Sequence, residues 1–135
     1  MKHFLILLAL AMFASAASAQ DNPLAGSEWG TGVAVDRRSV QFGADGRASG
    51  NAGCNTFMGS FTADGVNLKL GPLATTRKMC GEMRMAQEKA WLDMLARIDS
   101  YRLNDDQLRL MDAGNKGIIT LTRRNYNYGR PRWNT

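Results

Sequence analysis

An α+β domain, in which one helix packs on a curved, mostly antiparallel sheet or partly closed barrel, is the fold this sequence predicts. Three observations lead there. Short segments rich in β-forming residues recur between turn signals from Trp29 to Leu70. A single stretch, 82–98, changes to apolar spacing of three and four residues, and strand-like alternation resumes from Tyr101 to Leu121.

The elements follow in order. Asp21 to Gly26 is a polar lead-in containing Pro23, and Trp29 opens the first extended segment. Val33, Val35, Val40 and Phe42 flank Asp36-Arg37-Arg38 and read as further strand residues. Asp45-Gly46 and Asp64-Gly65, each after a Phe-x-Ala, are two-residue hairpin signals. Val66, Leu68 and Leu70 alternate with Asn67 and Lys69, as in a half-buried strand. Met83, Ala86, Ala90, Trp91, Met94, Leu95 and Ile98 then form an apolar helical face. Glu82 in the first turn and Arg97 in the last would complement the helix dipole. Tyr101 and Leu103, Leu108 and Leu110, and Ile119 and Leu121 alternate as strands, with turns at Asn104-Asp105-Asp106 and from Asp112 to Gly117.

The chain begins with Lys2 and His3, an apolar run from Phe4 to Ala14, and Ser15-Ala16-Ala17-Ser18-Ala19. This is the pattern of a secretory signal peptide, expected to be cleaved after Ala19. The apolar run is too short for a membrane span, which takes about 20 residues. No cysteine follows the expected cleavage point, which argues against a lipid anchor. The mature chain is then one soluble domain, periplasmic or secreted, expected to be monomeric. Its core region, 20–122, is charge-neutral, because the basic excess lies in 123–135, where no acid occurs.

Two cysteines, Cys54 and Cys80, are present. An isolated pair in an exported chain reads as one disulfide, which contributes about 3.5 kcal/mol in the chain-entropy model. The sole histidine, His3, leaves with the signal peptide, removing His-based nucleophilic, general-base and zinc chemistry from the mature chain. The cysteines do not make a Cys-x-x-Cys redox motif. A carboxylate-pair hydrolase needs only two acids, but Asp45, Asp64, Asp105, Asp106 and Asp112 sit at turns and read as solvated charge. No catalytic residue, metal ligand or cofactor is therefore expected. The glycines and asparagines from Gly50 to Gly59 suit a sharp chain reversal around Cys54.

Gly53-Cys54-Asn55 with Phe57 and Gly59, then Thr76-Arg77-Lys78-Met79-Cys80, then Glu88 in the helix, together resemble the META domain (HslJ-like) family. Trp29, Phe42, Gly46 to Gly50, Tyr101, Leu108 and Leu110 extend the likeness over about 24–122. The motif residues it singles out, besides the cysteines, are Gly53, Asn55, Thr76, Arg77 and Met79. The resemblance implies a compact α+β fold and a bacterial envelope protein associated with heat induction, novobiocin resistance or virulence. It supplies no enzymatic activity, so the expected role is non-enzymatic, in envelope stress or surface binding. A small secreted inhibitor of a lysozyme or protease is the alternative.

The segment 123–135 interleaves Arg123, Arg124, Arg130 and Arg132 with Tyr126, Tyr128 and Trp133. Cation–aromatic segments can bind single-stranded nucleic acid, but export argues against that partner. An anionic envelope surface, or an envelope protein, is the expected partner, with the four arginines and Trp133 as the contacting residues. The competing reading is a solvated terminus with no role.

Overall fold

The computed structural model describes residues 22–124. The expected signal peptide 1–19, and Arg130, Arg132 and Trp133, lie outside the described residues. Nine strands and one helix occur in chain order: β1 (Ser27–Gly30), β2 (Ser39–Phe42), β3 (Arg47–Asn51), β4 (Thr56–Asp64), β5 (Asn67–Leu70), β6 (Ala74–Thr75), α1 (Glu82–Ala96), β7 (Ser100–Asn104), β8 (Gln107–Met111) and β9 (Gly117–Arg123). All pairings are antiparallel, in the order β3-β2-β1-β9-β8-β7-β5-β4-β6, and β3 also pairs with β4. That last pairing bends the sheet into a ring of eight strands, with β6 laid beside β4. The expected α+β fold with a nearly closed antiparallel barrel is the one observed.

The ring is not equally strong around its circumference. β3 and β4 pair over five positions, from Arg47↔Ser60 to Asn51↔Thr56. β5 and β7 meet at Asn67↔Ser100 alone, helped by Leu68 N–H to Asp99 O at 3.0 Å and Tyr101 N–H to Val66 O at 2.9 Å. β1 and β9 pair at Trp29↔Arg123 and Gly30↔Thr122.

Period-two alternation decides what fills the ring. Phe57 and Phe61 on β4, Leu68 on β5, Leu108 and Leu110 on β8 and Leu121 on β9 point inward and are buried, while most of their neighbours, Met111 excepted, are more exposed. Phe42 and Phe61 meet edge to face at 5.0 Å. Trp29 is fully buried and donates its indole N–H to Ser27 Oγ at 2.7 Å. The helix adds Trp91, Met94 and Leu95, and Ile98 just beyond it, to the same core.

Several local expectations are corrected. The helix stops at Ala96, so Arg97 caps it rather than lying in its last turn. Met83, Ala86 and Ala90 are exposed; the buried face is Glu88, Trp91, Met94 and Leu95, and it holds a carboxylate at a core-facing position. The first helical turn lies against the Gly53 loop, where Arg84 donates to Gly53 O at 2.8 Å, so Met83 never reaches the barrel interior and is 77% exposed. Val33 and Val35 belong to the loop between β1 and β2 and are exposed. The Asp-Gly turns differ from a hairpin with both central residues at positive φ: only the glycines, Gly46 and Gly65, adopt it, and the β2–β3 connection spans four residues.

Burial sets the expected cost of truncating the helix. Trp91→Ala, which leaves a cavity under α1, should destabilise the domain by about 3–5 kcal/mol. Met83→Ala should change stability by no more than about 0.5 kcal/mol. Thermal melts of the two variants against the parent check both values, and equal losses would show that the inward face of α1 is wrongly assigned.

Candidate functional site

The chain reversal expected around Cys54 is the β3–β4 connection, residues 52–55. Gly53 has φ +120°, a backbone conformation that favours glycine. Asn51 Oδ1 accepts Gly53 N–H at 2.8 Å, and Ala52 N–H donates to Asn55 O at 2.8 Å, so the turn is fixed by its own polar groups. Cys54 is bonded to Cys80, with the Cα atoms 6.0 Å apart. The bond ties the turn to the residues just before α1, and it belongs with an oxidising compartment outside the cytoplasm.

Beneath the disulfide lies a buried polar network. Glu88 is 6% exposed and Asn55 is 3% exposed. Glu88 Oε1 accepts Asn55 N–H at 2.5 Å, and Oε2 accepts Asn55 Nδ2–H at 2.9 Å. The Asn55 amide also reaches the segment before the helix: Oδ1 accepts from Lys78 N–H at 2.6 Å and from Thr76 Oγ1–H at 2.9 Å, while Nδ2 donates to Lys78 O at 3.2 Å. Thr76 Oγ1 in turn accepts Thr56 N–H at 3.2 Å. One asparagine thus joins β4, the 76–80 segment and α1. The motif residues Gly53, Asn55 and Thr76 come together here. Arg77 and Met79 project outward from the same segment, Met79 at 87% exposed.

A second polar node organises the loop 31–38. Both carboxylate oxygens of Asp36 accept from Arg38, at 2.7 to 3.2 Å, and Asp36 also accepts Thr31 Oγ1–H and Arg38 N–H. The Arg38 guanidinium holds the Asp36 carboxyl well below the usual carboxylate range, against the opposing effect of burial. Arg38 also lies over the Trp91 ring, 5.6 Å from its centroid. Between this loop and α1 opens a cleft of about 620 Å³, lined chiefly by Asp36, Arg37, Arg38, Gly53, Arg84 and Gln87.

The arginines assigned to a basic tail divide. Arg123 lies in β9, stacks 4.4 Å from the Trp29 ring centroid and pairs with Asp106 at 3.6 Å. Arg124 donates its N–H to Glu28 O and its Nη2–H to Asp36 O, both at 2.8 Å, and crosses Gly30, where a Cβ would collide with its guanidinium. The sheet therefore runs past 122, and these two side chains belong to the domain rather than to a solvated tail. The alternation of Ile119 with Leu121 continues to Arg123, a signal that the charge count concealed.

Two perturbations test these nodes. Asn55→Asp removes the Nδ2 donors and sets carboxylate against carboxylate, at an expected cost of about 3–5 kcal/mol. The double variant Asn55→Asp/Glu88→Gln restores a donor facing an acceptor and should recover part of that loss in urea unfolding. For Asp36, the folded group titrates below its unfolded value, so its contribution is complete above about pH 4 and declines as pH falls further. Asp36→Asn should cost about 2 kcal/mol at pH 6, and the gap between its melting temperature and the parent's should narrow towards pH 2.

Comparison with known proteins agrees with this architecture. No curated protein is detectably similar in sequence. An NMR structure of a protein from Burkholderia xenovorans matches at TM-score 0.61 and 23% identity, covering 76% of this chain and 84% of that one. The crystal structure of a DUF4847 family protein from Bacteroides vulgatus matches at TM-score 0.53 and 20% identity, over 65% of this chain and 60% of that one. At these identities the likeness is one of fold. The sequence profile of the META domain matches residues 24–125, which hold all the described strands, the helix and both cysteines, and the chain belongs to the META domain family.

Proposed function

We propose that this chain is an exported, non-enzymatic binding domain that engages an anionic surface of the bacterial envelope, in an envelope-stress or surface-binding role. The observation that carries the reading is how the motif residues are used. The buried carboxylate of Glu88 is committed to Asn55, Asn55 to the 76–78 backbone, and both cysteines to each other. The groups that could perform chemistry instead hold a rigid frame. Exposed cations, Arg37 and Arg84, stand beside that frame. The disulfide fits an oxidising compartment, and the N-terminal Lys2-to-Ala19 pattern fits export to it.

Arg130 and Arg132 would add attraction of about 1 kcal/mol each near an anionic surface. Co-sedimentation with phosphatidylglycerol-containing vesicles checks the reading. The bound fraction should fall steeply between about 0.1 M and about 1 M salt, as the screening length drops from about 10 Å to about 3 Å. Arg130→Ser/Arg132→Ser should weaken binding by about 2 kcal/mol, and a chain ending at Arg124, which keeps the β9 contacts, should retain the folded domain. Equal binding to neutral phosphatidylcholine vesicles, or none to either, contradicts the proposal.

A further inference from the structure

We propose that the cleft between loop 31–38 and α1 is a binding site for a phosphate monoester, the dianionic group of a phosphorylated sugar or of a lipid headgroup. The inference deepens the reading of the chain as a binder of anionic envelope surfaces by naming where the charge is recognised and in what chemical form.

Charge is the first argument. The cleft is lined by three arginines and a single acid, Asp36. That acid is spent: Arg38 spans both of its oxygens, and Thr31 adds a further hydrogen bond. Its charge is cancelled locally, leaving two net positive charges. Among the described residues neither Arg37 nor Arg84 forms an ion pair. Two uncompensated guanidinium groups match a dianion, and arginine's planar fork of donors suits phosphate oxygens.

Pre-organisation is the second. Arg84 is held through its Nη2–H bond to Gly53 O, a carbonyl next to the disulfide. Arg38 is fixed by Asp36 on one side and by the Trp91 ring on the other. Gln87, one helical turn from Arg84, supplies a neutral amide. Positioning donors before the ligand arrives lowers the ordering cost of binding. Size is the third. About 620 Å³ falls within the range of small-molecule sites, enough for a phosphate and an attached sugar or glycerol. The cleft is also open, so a headgroup could enter while still attached to a surface.

The test titrates the isotope-labelled mature chain with glucose 1-phosphate, with inorganic phosphate and with acetate, followed by NMR. Amide shifts should concentrate at residues 36–38, 53 and 84–87 with the two phosphates, and acetate should produce much smaller ones. Affinity should rise between about pH 5 and about pH 7, as the phosphate's second proton leaves near pH 6. Asp36, Arg37, Arg38 and Arg84 are the ionisable groups lining the cleft. Arg37→Glu, at an exposed side chain, should weaken glucose 1-phosphate binding about tenfold or more, through the loss of a charge-assisted contact. Gln87→Glu should act in the same direction, and both variants should keep the parent's melting temperature.

Shifts scattered over basic residues elsewhere, acetate binding as well as phosphate, or an unchanged affinity in both variants would overturn the site. Vesicles of phosphatidic acid in phosphatidylcholine separate the two sources. Binding reduced by Arg37→Glu assigns a lipid headgroup, and vesicle binding unchanged while glucose 1-phosphate binding is lost assigns a soluble phosphate. If vesicles bind but the phosphates never reach the cleft, this site fails while the surface-binding reading stands; if neither binds, both fail.

Discussion

The two hydrogen bonds from Asn55 to the Glu88 carboxylate are the constraint on which the rest of this domain depends. A carboxylate at a core-facing helix position is costly unless its oxygens are satisfied. Here the donors come from a turn 33 residues earlier in the chain. That requirement fixes how far α1 can sit from the β3–β4 connection and at what rotation. With α1 placed, Trp91 and Leu95 fall into the barrel interior, and Arg84 meets Gly53. Asn55 then spends its remaining capacity on Thr76 and Lys78, which brings Cys80 within bonding reach of Cys54. The disulfide and the polar network thus constrain the same junction by independent means. The covalent bond limits the unfolded chain, whereas the hydrogen bonds select one native arrangement.

Asp36 plays the corresponding part on the other side of the cleft. It turns eight residues of irregular chain into a defined loop by taking donors from Thr31 and Arg38, and its own carbonyl receives Arg124 from the far end of the domain. Arg38 transmits this arrangement to the helix by lying over Trp91. Loop, helix and last strand are therefore linked through charged groups rather than through extra apolar burial. This suits a small domain whose single core has limited surface to bury.

Much of this was legible from the residues. The inward positions of β4, β5, β8 and β9 follow from period-two alternation at Phe57, Phe61, Leu68, Leu108, Leu110 and Leu121, and the lone helical stretch stood out by its change of period. The reversal at Cys54 was visible in its glycines and asparagines. What escaped was decided by partners distant in sequence. Glu88 looks like a surface residue until Asn55 is brought against it, and its burial rotates the helix so that Met83 and Ala86 face away from the core. Val33 and Val35 have strand composition, but the pull of Asp36 on Thr31 and Arg38 keeps that stretch a loop. Arg123 and Arg124 read as free charge because Trp29, Asp106 and Glu28, which receive them, cannot be assigned from sequence order. The cleft was invisible for the same reason: its arginines come from two segments about 50 residues apart.

The pairing of β1 with β9 bears on the order in which the chain can fold. Strands β1 to β4 are built from contacts close in sequence, and β7 to β9 likewise, so two open sheet fragments can form early. Joining them requires one of the most distant contacts in the domain, Trp29 with Arg123, and closing so long a loop is slow. Until β9 has emerged from the machinery that makes or moves the chain, β1 keeps a bare hydrogen-bonding edge, of the kind that recruits other strands. The arginine stacked on Trp29 and paired with Asp106 fastens that seam once the strands meet, and until then the bare β1 edge is open to misassembly.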